Sequence, residues 1–316
     1  MCTVKISIQT QKTVSELGFE KAYKLYKDAG FQALDWNIND LLPGDKIYAG
    51  TYRGSSVLEK SLDEILDYLE PDLNEIRKNG LKITQAHAPF PAMSLKYEDS
   101  LDFMIEIYKN CIRLCDHVGC KHLVIHAIHH QRYDLDHTPE EIDTFNWKLY
   151  TSLIPVLKET DVIVCIENIF SWAMGPKAMP RLLADHFGNP DFAVDYIDRL
   201  NREAGKECFG MCLDTGHLNL CRIDERIYIP KLGKRIKCLH VHDNDSIEDR
   251  HEAPYSGNIY WDGYLKALRE AGYEGDISFE TGPQTTLNFG ITEDILLSQL
   301  KAIADIGCYF RKVLSE

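Results

Sequence analysis

Eight times along this chain a short run of β-forming residues is followed by a longer amphipathic stretch, and that alternation limits the fold more than any other feature of the sequence. The β runs are VKISIQT (4–10), QALDWNI (32–38), LKITQAHA (81–88), KHLVIHAI (121–128), DVIVCIENI (161–169), CFGMCLDTG (208–216), IKCLHVHDN (236–244) and GDISFETG (275–282). Helices are expected at 17–30, 57–80, 100–119, 139–159, 191–204, 224–235, 261–271 and 292–314. The first of them ends at Gly30, a residue suited to close a helix.

No linker, composition break or low-complexity segment interrupts the eight units. They read as one closed (β/α)8 barrel, a single TIM-barrel domain over residues 1–316. A doubly wound open sheet would carry a Gly-rich phosphate turn after its first strand, and SIQTQKT has none. Two connections, 39–56 and roughly 170–190, are longer than a barrel requires. They are expected over the mouth formed by the C-terminal strand ends, where such barrels keep their active sites.

What ends each strand carries the functional signal. Alternate strand residues face the barrel interior, and on that face strand three ends at His87, strand four at His126 and strand five at Glu167. Strand six ends at Asp214, with His217 three residues on. Strand seven offers His240 and His242, and strand eight ends at Glu280, while Asp249 and His251 follow in the loop after strand seven. A lone histidine at such a place is ordinarily a satisfied structural residue, and His117, His137 and His186 are read that way. Six consecutive strands converging with Asp, Glu and His are another matter. Buried carboxylates are costly unless paired, and one divalent metal ion can gather several of them. Nitrogen and oxygen donors without a thiolate suit Mn²⁺ or Zn²⁺ first, then Mg²⁺ or Co²⁺.

Composition removes several alternatives. Lys and Arg number 35 against 49 Asp and Glu, and the resulting charge of −14 repels phosphate backbones, so no nucleic-acid partner is expected. Apolar runs such as VIVCI (162–166) fall far short of the ~20 residues of a membrane span. The ten cysteines include no C-x-x-C pair, and Cys165, Cys212 and Cys238 sit in apolar runs as small hydrophobes. The opening MCTVKISIQTQK enters a strand with no signal-type apolar region, so a cytoplasmic location with free thiols is expected.

Four strings, CIENI, CLDTGH, LHVHDND and FET, stand in order at the ends of strands five to eight. They resemble the metal signature of the xylose isomerase-like TIM barrel superfamily, which holds the sugar phosphate isomerase/epimerase family and, more distantly, endonuclease IV. The resemblance covers nearly the whole chain. It implies metal ligands at Glu167, Asp214, His240 and Glu280, with His217 touching substrate beside the metal. DRHEAPYSGNIYW (249–261) is similar to a further family stretch, with Tyr255 where a glycine is usual. Asp249, His251, His87, His126, His242 and Trp172 complete the substrate-binding candidates, with Met174 nearby. The 3-epimerases of free ketohexoses have a second Glu where this chain has Ala173 and an Arg where it has Ser246, so its substrate contacts are expected to differ from theirs.

The resemblance implies a metal-dependent isomerase: a sugar isomerase or epimerase that abstracts a proton next to a carbonyl through a metal-stabilised enediolate. Glu167 and Glu280 would be its acid/base pair. Its partner is a small carbohydrate, and its relatives are often homo-oligomers. Two alternatives share the barrel. One is a phosphodiesterase resembling endonuclease IV, with three zinc ions on His87, His126, Glu167, Asp214, His217, His240, Asp249, His251 and Glu280. The other is a C-glycoside-cleaving lyase subunit acting on an oxidised sugar, with a base among His126, His129 and His130 and a small β-rich partner subunit.

Overall fold

A computed structural model describes residues 4–130, 137–172, 182–287 and 290–316. Eight parallel strands form a nearly closed barrel: β1 (Ile6–Gln9), β2 (Ala33–Asn37), β3 (Lys82–His87), β4 (His122–Val124), β5 (Ile163–Glu167), β6 (Phe209–Asp214), β7 (Ile236–His240) and β8 (Ile277–Phe279). Each pairs with its successor through β7, and β8 pairs with β1. The seam between β7 and β8 is held by a single bridge, in which Val241 N–H donates to the Ser278 carbonyl at 2.8 Å and Glu280 N–H to the Val241 carbonyl at 3.2 Å. The expected (β/α)8 barrel is therefore observed.

Helices lie between the strands and start where the chain supplies caps. Ser61 and Glu64 close a capping box ahead of Leu62–Lys78, and Thr138 and Glu141 do the same for Pro139–Thr151. The helix expected over 139–159 is two helices, Pro139–Thr151 and Ile154–Lys158. Pro155 has no N–H to continue the first ladder, so the chain restarts there. A short helix, Thr215–Leu220, follows β6 directly and was not expected from periodicity; Asp214 caps it.

Two other expectations change in detail. Strand β4 is shorter than its apolar run, so His126 lies two residues beyond the strand rather than at its end. The long connection after β5 contains an antiparallel ribbon, Phe170–Trp172 against Leu182–Ala184. Ala173 and Met174 lie outside the described residues.

Inside the barrel, Val124, Cys165, Cys212 and Cys238 form a buried layer of their own. Each stands two residues before His126, Glu167, Asp214 or His240. The period of two thus stacks those four side chains directly above this small, apolar floor. No disulfide joins the described cysteines, and no helix among the described residues is long and apolar enough to cross a membrane.

Candidate functional site

Glu167, Asp214 and His240 are the last residues of β5, β6 and β7, and Glu280 follows β8 directly. All four are buried, Glu280 being the most open at 8% exposure. One donor atom from each lies within 4.8 Å of the others, so this group could hold a metal ion.

His240 shows what the arrangement demands. Its Nε2 donates to Asp35 Oδ2 at 3.0 Å, and Gln85 Nε2 donates to the same oxygen at 2.9 Å. That leaves Nδ1 facing Glu167 Oε2 at 3.1 Å and Glu280 Oε2 at 3.2 Å, with no hydrogen bond to either. A buried lone pair opposite two carboxylates is repulsive unless a proton or a cation stands between them. Burial alone would push His240 down, but Glu167 and Glu280 outweigh it and hold the imidazole well above the usual histidine range. Glu167 answers in kind: burial opposes its ionised form, yet His240 and His126 hold it well below the carboxylate range. Three carboxylates, a fixed imidazole tautomer and an unspent Nδ1 suit a divalent cation.

A second group adjoins the first. His217, His242, Asp249 and His251 also bring donor atoms within 4.8 Å of one another. His217 Nδ1 lies 3.1 Å from Glu167 Oε1, and His242 Nε2 lies 3.0 Å from Asp214 Oδ2, so the carboxylates of the first group face the second as well. The His242 and His251 rings stack with centroids 4.0 Å apart, and His251 Nε2 reaches Asp249 Oδ2 at 3.0 Å. Although burial opposes it, Glu280 and Asp249 push His251 up to about 9. His240 and His242, two apart in sequence, part company because β7 ends at His240. Gly216 explains the tight fit: a Cβ there would stand 1.9 Å from His242 Cε1.

On the other flank, His126 Nε2 lies 3.1 Å from Glu167 Oε2 and 2.9 Å from His87 Nε2. His87, Glu167 and His240 form a third group with metal-ligand spacing. Phe90 stacks on His126 and Phe170 meets His217 edge-on, giving the polar cluster two apolar walls. His129 and His130 turn away, towards the carbonyls of Ala127 and His137. Trp172 pairs through its backbone with Leu182 in the ribbon.

Several residues of the site are not announced by the strand ends. Asp35 and Gln85 hold His240, and Gln9 Nε2 donates to Glu280 Oε1 at 3.1 Å. Asn168 clamps the Asp214 backbone from both sides, at 2.9 Å each way, and Thr215 does the same for His242. Asp35 alone left a sequence signal, a charged residue inside the apolar run ALDWN.

Residues 48–301 match a family model described as xylose isomerase-like TIM barrel. Among curated relatives, the uncharacterised protein y4fM of Sinorhizobium fredii is 26% identical over 181 residues, which are 56% of this chain and 52% of that one. The chain thus spans about half the length of that relative. Among solved structures, an L-ribulose 3-epimerase superposes with a TM-score of 0.66 at 14% identity, covering 98% of this chain and 96% of that one. A 3-keto-D-glucoside 4-epimerase from E. coli gives 0.65 at 13% identity, covering 95% and 99%. At such identities the likeness is one of fold.

Proposed function

This chain belongs to the xylose isomerase-like TIM barrel family, and from that premise we propose that it is a divalent-metal-dependent sugar isomerase or epimerase. The observation that carries the reading is the convergence of Glu167, Asp214, His240 and Glu280 with the His240 Nδ1 left unspent between two carboxylates. Sugar epimerases among the structural neighbours support it. A divalent cation held by these four residues would supply Lewis-acid stabilisation to the negative charge that develops on adjacent sugar oxygens.

The protein's own groups do the rest. Glu167 and Glu280 approach the mouth from β5 and from the end of β8, so they can address different sides of one substrate carbon. One carboxylate removes the proton beside the carbonyl and the other returns it. Gln9 pins Glu280 Oε1, which fixes the direction from which that carboxylate works. His217 donates its Nδ1–H to the Asn168 carbonyl at 2.9 Å and offers Nε2 to a sugar oxygen. The test is to incubate ketoses and keto-sugars with the protein in heavy water and follow carbon-bound hydrogen by NMR. Deuterium entering at one carbon, and failing to enter with Glu167→Gln or Glu280→Gln, is expected. Exchange that survives both substitutions would end the proposal.

A second reading has one observation in its favour, the adjoining group of His217, His242, Asp249 and His251. With the His87–His126 flank it offers donors for three ions, the requirement of a phosphodiesterase that binds a phosphate and activates water. Three zinc ions per chain and cleavage of abasic-site DNA would establish it in place of the first.

A further inference from the structure

At the opposite end of the barrel, lysines stand at the starts of several strands. Lys5, Lys82, Lys121 and Lys237 each stand within one residue of the start of a barrel strand or at its second position, on β1, β3, β4 and β7. Two cavities meet there, of about 310 and 570 Å³, sharing Lys5, Thr84 and Gly119. Lys121, Lys237 and Asp276 line the first, and Arg77 and Lys82 the second.

The two adjoining cavities therefore hold between them five cationic side chains and a single carboxylate, on a chain whose net charge is −14. The carboxylate is already spoken for: Asp276 Oδ1 accepts the Lys5 backbone N–H at 2.7 Å, and its Oδ2 lies 3.8 Å from Lys5 Nζ. Lys237 pairs with Glu207 at 2.8 Å and Arg77 with Glu70 at 3.3 Å, both acids standing outside the lining. Lys82 and Lys121 are exposed and have no ion-pair partner among the described residues. Thr84 borders both cavities, and its hydroxyl is buried without a hydrogen-bond partner. Cations gathered against the sign of the whole molecule, two of them unpaired, create a local field that selects anions. Their spread over two adjoining cavities suits a ligand with more than one anionic group.

We propose that this groove, at the end of the barrel away from the candidate active site, binds a small polyanion: a molecule with two or more phosphate or carboxylate groups. The inference stands independently of the reaction assigned to the other end.

Titration calorimetry and thermal melting of the full chain with inorganic pyrophosphate and with citrate, against KCl at matched ionic strength, test it. Both probes also chelate divalent cations, so the decisive comparison is with K82E/K121E, in which chelation persists and groove binding is lost. One probe should bind the natural chain with 1:1 stoichiometry and raise its melting midpoint, and K82E/K121E should weaken that binding about tenfold or more. The stronger of the two probes identifies the phosphate or the carboxylate source. Lys301→Glu, an exposed change of equal charge outside the groove, should leave binding unaltered. If the double variant does not fold, K121E alone takes its place. Equal responses from the natural chain and the lysine variants, or a response that KCl reproduces, would overturn the proposal.

Discussion

Asp35 Oδ2 stands 3.0 Å from His240 Nε2, and both side chains are closed off from solvent. The carboxylate accepts the hydrogen bond from Nε2–H and so leaves Nδ1 free to meet a cation, the arrangement by which a carboxylate behind a histidine sets its tautomer and its basicity. Asp35→Asn removes that charge and unsettles the tautomer. Mn²⁺ affinity of the stripped protein, measured by calorimetry, should fall by ~10–100-fold. The melting midpoint of the metal-free variant separates loss of affinity from loss of fold.

The two glutamates should not respond alike to their surroundings. Replacing either by Gln is expected to lower the rate of deuterium entry by ~10²–10⁴-fold, the ordinary worth of a general acid or base. Gln9→Leu leaves both carboxylates in place but frees Glu280 Oε1. It should slow exchange by less than either glutamate change, and NMR rates on the three variants check the order.

Gly216 is held to its identity by packing against His242. Adding one methyl forces the buried imidazole to move, because a Cβ would lie within 3 Å of three of its ring atoms. Gly216→Ala should cost ~1–3 kcal/mol, as overpacking of a filled interior does. A melting curve that matches the natural chain would show that His242 has room the geometry denies it.

The acids and histidines of the mouth are legible in the sequence because strand periodicity puts them on one face and the chain order puts them at one end. Their supports are not. Gln9 and Gln85 stand in the runs VKISIQT and LKITQAHA as uncharged amides, and nothing local distinguishes a buried amide that holds a carboxylate from an ordinary polar strand residue. The split between His240 and His242 depends on where β7 stops, and strand ends are set by tertiary pairing, here the lone bridge at Val241, rather than by local composition. The ribbon at Phe170–Trp172 is likewise invisible, since three residues a side make too short a pattern to read.

Two half-buried histidines away from the four-residue metal group set the response to acid. Burial pushes both His122 and His129 down to about 4, against 6.5 in the unfolded chain. Between those values the unfolded state binds more protons. The stability that comes from keeping the rings neutral is intact above pH 6.5 and is lost as the pH falls through 4. Each histidine contributes a slope of up to about 1.4 kcal/mol per pH unit in that window. Melting of metal-free protein from pH 7 to about 4 should show the decline, and His129→Gln should flatten it. Parallel curves for variant and natural chain would remove His129 from the account.

Elemental analysis of the chain, purified without chelator and then offered Mn²⁺ or Zn²⁺, bears most directly on the claim that Glu167, Asp214, His240 and Glu280 form a metal centre. About one tightly held divalent ion per chain is expected, falling to none in Asp214→Ala while the barrel's circular dichroism is unchanged. A natural chain that takes up no ion from either metal would contradict it.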